Sequence, residues 1–114
     1  DCFIMPSLIE SFGIVTIEAM AFGLPVIISN APGNIDIVRN GQDGLLYDHD
    51  NKGLKLALAM KEIIINKKLF LHFKKKSVER VKRFDWQNIV DNYFISLTFV
   101  LNLRGSKSWW GRKW

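Results

Sequence analysis

Hydrophobic and polar positions follow two regimes along this chain. Up to Tyr47, short apolar or β-branched runs at residues 2–5, 26–29 and 45–47 are each bounded by proline, glycine or asparagine. That is the pattern of short, buried parallel strands. Between the first two runs, residues 14–24 form a helix-length stretch that is apolar apart from Thr16, Glu18 and Gly23. Residues 35–39 read as a short helical turn ended by Asn40-Gly41. The alternation of strand and helix predicts an α/β fold, half of a doubly wound sheet with right-handed crossovers. From Lys52 the period turns helical. The pattern predicts a helix over 52–66 with Leu54, Ala57, Leu58 and Ile65 among its apolar positions. A second, over 69–84, sets Phe70, Phe73, Val81 and Phe84 against Lys75, Lys76, Glu79, Lys82 and Arg83. Asp85 is a suitable N-cap for a last helix striped by Trp86, Ile89, Val90, Tyr93, Leu97 and Val100.

Two carboxylates stand out where the first strand, loop and helix meet. Glu18 lies in a run whose apolar character predicts burial, and an ionised carboxylate is costly to bury without partners. Arg39 is the only Lys or Arg in the first fifty residues, so no nearby cation serves. A neutral, hydroxyl-rich ligand such as a ribose would satisfy Glu18 instead. The amides at the start of this helix, around Gly13, Ile14 and Val15, form an anion site suited to phosphate. Glu10 precedes them on the loop at the carboxyl end of the strand, where open α/β sheets bind ligands. The bland alternative makes Glu10 a surface loop acid and Glu18 a helix-dipole acid.

Glu10 and Glu18 are separated by seven residues, preceded by Pro6-Ser7, enclose Phe12-Gly13, and are followed by Ala19-Met20-Ala21 and Gly23-Leu24-Pro25-Val26. This frame resembles glycosyltransferase family 4, in the C-terminal half of its Rossmann-like GT-B fold. The likeness continues through Ser29, Pro32-Gly33, Asp36-Ile37-Val38, Gly41, Gly44-Leu45-Leu46 and Phe84-Asp85-Trp86. Departures are Asn34-Ile35 where a Gly-Pro pair is common, Asp36 for a frequent glutamate, and Asp43 for a common asparagine.

The resemblance implies a retaining, hexosyltransferase-like enzyme that moves a sugar from a nucleotide-diphosphate donor to an acceptor hydroxyl, with no metal or other cofactor. It gives Glu10 the donor sugar's hydroxyls and the catalytic role, with Phe12 and Gly13 touching the sugar through their backbone. Ile14 and Val15 would meet the diphosphate, and Glu18 the ribose. It places this chain, residues 1–103, as the donor-binding half, with an upstream domain holding the acceptor and the basic residues that neutralise the diphosphate. The 114 residues alone are then expected to be inactive. The last helix is expected to pack toward that upstream domain. Two other readings are a non-catalytic nucleotide-binding or membrane-surface module on the same half-fold, and a GT-B phosphorylase. The phosphorylase needs a lysine-bound pyridoxal phosphate and a phosphate site that no segment suggests. The acceptor, whether glycan, lipid or small molecule, is not specified.

Charge is unevenly placed behind the net +5. Seven acids and one base occupy the first fifty residues, while fifteen bases and four acids follow. The lysine run at 74–76 lacks interleaved base-stacking aromatics, so nucleic acid is not expected. Residues 104–114, RGSKSWWGRKW, read either as a disordered tail or as an anchor to an anionic membrane surface, since tryptophan and basic residues favour the headgroup region. A single cysteine, Cys2, allows no internal disulfide and is compatible with a reducing compartment. We expect a cytoplasmic protein, with a peripheral place at the inner membrane face if the tail anchors. His49 and His72 are too far apart to suggest a metal site, and Asp48 and Asp50 read as turn and cap residues.

Overall fold

The computed structural model describes residues 1–50 and 52–103. The chain divides into two compact units, residues 1–82 and a second that begins at Arg83. The tail at 104–114 lies outside the described residues, and so does the reading made of it.

The first unit is an α/β structure built on three parallel strands, β1 (Phe3–Met5), β2 (Val26–Ser29) and β3 (Leu45–Tyr47), in the order β1-β2-β3. The register pairs Ile4 with Ile27 and Ile28 with Leu46. All four residues of β2 are buried, as a central strand covered on both faces requires. Each of Val26, Ile27 and Ile28 contributes about 1.5–3 kcal/mol by leaving water. One face of the sheet packs Ile27, Leu45 and Tyr47 against Ala59, Ile63 and Phe73. These come from α3 (Leu54–Ile65) and α4 (Lys67–Val81). The helix α1 (Ile14–Ala21) packs on β1 and β2, with the Thr16 hydroxyl 3.6 Å from the Met5 sulfur. Met5 pairs with Ile28, so α1 lies on the face opposite Ile27.

Several boundaries differ from the sequence expectation, each for a local reason. The helix α1 stops at Ala21 because Gly23, at φ +70°, closes it. The Gly23 amide donates to the Met20 carbonyl at 2.9 Å and the Leu24 amide to that of Ala19 at 3.1 Å, a pairing that a left-handed residue permits. The short helix α2 spans Pro32–Ile35 rather than 35–39, since Pro32 is preset for a first helical turn. The helix α4 starts two residues early because the Asn66 side chain caps it, accepting from the Leu69 amide at 3.0 Å.

Among the described helices none is long and apolar enough to cross a membrane. The second unit's described helix, α5 (Trp86–Leu103), carries its expected stripe, but Trp86, Ile89, Val90, Tyr93, Leu97 and Val100 are all exposed.

Candidate functional site at the carboxyl end of the sheet

The three strands end in polar residues that bind one another. The Ser29 hydroxyl donates to the Ser7 carbonyl, which His49 Nε2 also approaches at 3.1 Å. Ser7 follows β1, Ser29 ends β2 and His49 follows β3, so one carbonyl gathers all three strand ends. Fully buried Asn34 joins the set, its Nδ2 donating to the Ser29 carbonyl at 2.9 Å and lying 3.1 Å from the Ser29 hydroxyl. The Asn34 Oδ1 is buried without a hydrogen-bond partner among the described residues. It points toward Gly13, where an added Cβ would come 3.1 Å from it and 2.9 Å from the Met5 methyl. A side chain at Gly13 would therefore crowd this buried cluster, although its φ of −68° is open to any residue.

The loop of residues 6–13 is held against α2. The Gly33 amide donates to the Glu10 carbonyl at 3.0 Å, and a Cβ at Gly33 would sit 2.4 Å from that oxygen. Glu10 itself is half-buried, and its Oε1 accepts from the Ser11 amide at 3.1 Å. Its other carboxylate oxygen makes no hydrogen bond among the described residues.

Gly13 is the N-cap of α1 and no side chain caps this end. The Ile14 amide donates to the Phe12 carbonyl at 2.7 Å, while the Thr16 and Ile17 amides turn to the Gly13 carbonyl. Neither the Gly13 nor the Val15 amide makes a main-chain hydrogen bond among the described residues. A helix start with amides open in this way favours an anion.

Glu10, Phe12, Gly13, Ile14 and Val15 are thus brought to one place by the loop and the helix start. Glu18 follows Ile14 and Val15 by four and three residues, so the three share a face of α1. That face is exposed, with Ile14 at 60% and Val15 at 50%. The expectation that Glu18 is buried is corrected here: α1 buries only Thr16, Ala19 and Met20, and water reaches the opposite side. Glu18 needs no partner to be stable, so its claim to a ribose rests on position rather than on burial.

Sequence reading missed Ser7, Asn34 and His49 as supports of this loop. Their place just after strand ends was the available signal. Among the described residues no group of three or more His, Cys, Asp or Glu side chains is arranged to hold a metal ion.

Residues 1–80 match the family model described as glycosyl transferases group 1. The chain belongs to this family. Sucrose-phosphate synthase 4 of Arabidopsis thaliana is 38% identical over 107 residues, which are 93% of this chain and 10% of that protein. The structure of a sucrose-phosphate synthase from Thermosynechococcus elongatus superposes with a TM-score of 0.72 at 32% identity, over 85% of this chain and 25% of that one. HepE of Anabaena, solved in complex with UDP-glucose, superposes with a TM-score of 0.67 at 25% identity, over 87% of this chain and 28% of its own. The parallel strands and flanking helices of this group 1 member match part of a Rossmann-like GT-B domain. The chain spans about a tenth of the length of the plant relatives it matches.

Proposed function

We propose that this chain forms the donor-binding part of a retaining glycosyltransferase of family 4, taking a nucleotide-diphosphate sugar. The observation that carries the reading is the loop and helix start along which the half-buried Glu10, the open Val15 amide and the exposed Glu18 follow one another. The order suits sugar, diphosphate and ribose. The UDP-glucose complex of HepE makes UDP-glucose the first donor to test, and formation of sucrose phosphate, for which other relatives are named, the first reaction.

In this reading Glu10 holds donor hydroxyls and stabilises positive charge that develops on the sugar ring as the bond to the diphosphate breaks. That is electrostatic and positional catalysis, with no covalent step assigned to the carboxylate. The open amides of α1 and its dipole meet the leaving diphosphate, and basic residues elsewhere in the polypeptide supply the rest of the countercharge. No metal is called for. We place the enzyme in the cytoplasm, with the acceptor bound by another part of the same polypeptide.

Calorimetry of the full-length polypeptide with UDP, GDP and ADP tests the donor site. One nucleotide should bind saturably, and Glu18→Gln should weaken it about tenfold, the worth of a charge-assisted hydrogen bond. Glu10→Gln should lower kcat far more than nucleotide affinity. Unchanged affinity in the first variant removes Glu18 from the ribose, and unchanged turnover in the second removes Glu10 from the mechanism.

A further inference from the structure

The opposite, amino-terminal end of the sheet carries a second polar site. Arg39, Gly41 and Gln42, from the loop that enters β3, and His72 and Lys76, from α4, line a pocket of about 360 Å³. The loop is a fixed turn: the Gly41 amide donates to the Gly44 carbonyl at 2.8 Å and the Gln42 amide to that of Arg39 at 3.0 Å. Gly41 takes φ +73°, and His72 Nε2 lies 3.1 Å from the Gln42 carbonyl.

Arg39 is pinned at two points by the fully buried carboxylate of Asp43. Its amide donates to Oδ1 at 2.7 Å and its Nε to Oδ2 at 2.6 Å. The two terminal nitrogens of its guanidinium make no hydrogen bond or ion pair among the described residues, and the side chain is 48% exposed. A guanidinium immobilised through Nε offers its remaining N–H groups in a fixed fork that matches two oxygens of a phosphate. Lys76 adds a point charge. It bridges to Glu79 at 2.6 Å with both side chains well exposed, and a bridge of that kind holds an ammonium only weakly. The helix α4 contributes six bases, Lys67, Lys68, Lys74, Lys75, Lys76 and Arg80, against the single acid Glu79, so the surrounding field is positive.

We propose that this pocket binds a phosphate group, with the Arg39 fork and the Lys76 ammonium as its ligands, apart from the donor loop. By topology the two sites lie at opposite ends of the strands, since Arg39 precedes β3 whereas Ser7, Ser29 and His49 follow or end theirs. The phosphate can come from a soluble phosphate ester or from a lipid headgroup.

The test is calorimetry and hydrogen-exchange mass spectrometry of the full-length polypeptide with inorganic phosphate, at fixed ionic strength. Saturable binding should slow exchange in residues 39–44, and Lys76→Gln should weaken it about tenfold. Arg39→Lys, which keeps a cation against Asp43 and so protects the fold, should weaken it similarly by removing the fork. Absence of saturable heat, heat unchanged in both variants, or protection confined to residues 14–18 would overturn the site. Sedimentation with vesicles of phosphatidic acid in phosphatidylcholine separates the sources. Vesicle binding lost in both variants assigns a headgroup; phosphate binding without vesicle binding assigns a soluble ester.

Discussion

The two ends of this small sheet are closed by opposite means. At the carboxyl end the loop is fastened by hydroxyl, amide and imidazole groups, with Ser29, Asn34 and His49 gathered on the Ser7 and Ser29 carbonyls, and the Asp48–Lys55 ion pair stays exposed. At the amino end the fastening is charged. Arg80, almost fully buried, donates to the Ile37 and Asp36 carbonyls, and its Nε lies 3.9 Å from the buried Asp43 carboxylate. The difference teaches where a charged ligand can be received. A loop tied down through its main-chain carbonyls leaves the Val15 amide and the helix dipole uncompensated, ready for an anion. At the amino end Asp43 is taken up by Arg39 and Arg80, so that only the outward nitrogens of Arg39, and not the buried pair, are left to meet an anion.

The largest effect should follow from breaking the charged end. Asp43→Ala leaves Arg80 buried without its carboxylate, and loss of one partner of such a pair costs about 3–5 kcal/mol. Urea denaturation should show that loss, while the nucleotide affinity of the remaining folded protein stays unchanged. A coupled change in both would mean the two ends are not independent. Gly33→Ala attacks the carboxyl end, because the new methyl crowds the Glu10 and Ser11 backbone. It should cost about 1–3 kcal/mol as overpacking and, unlike the first variant, should also weaken nucleotide binding by displacing the loop.

The smallest effect concerns Asp50, in the turn after β3. Hydrogen bonds from the Lys55, Leu54 and Lys52 amides hold its carboxyl below the ordinary aspartate range. A folded-state pKa lower than the unfolded one means that the contribution is complete above the unfolded value, about 4. It fades as pH falls through the folded value. Acid titration of wild type against Asp50→Asn, followed by circular dichroism, should show the difference in stability closing only below about pH 4. A difference that closes nearer neutrality would assign it to another group.

Much of the fold was legible in the sequence because its signals are local. Val26–Ser29 and Leu45–Tyr47 are β-branched or apolar runs with proline, glycine or asparagine beside them, and both are strands where expected. The start of α1 at Ile14 is legible for the same reason. Glu18 was misplaced in environment, though not in position, because a count of apolar residues does not show which side of a short helix is covered. Arg80 was invisible as a core residue. On a helix crowded with lysines it reads as one more solvated base, and only the fold brings it to Ile37, 43 residues away. The bonding of Ser7, Asn34 and His49 is likewise tertiary, and no spacing rule anticipates it.

Ser77 carries a consequence for the order of events during synthesis. Its hydroxyl lies 3.1 Å from the Leu24 carbonyl and 3.3 Å from that of Asp43, at the bases of β2 and β3, and it reaches back 53 residues to the first. All three strands therefore leave the ribosome before the groups that close their lower ends. At roughly 5–20 residues per second, the nascent sheet waits for a few seconds with those carbonyls in water. A translational pause before Ser77 would prolong that half-finished state.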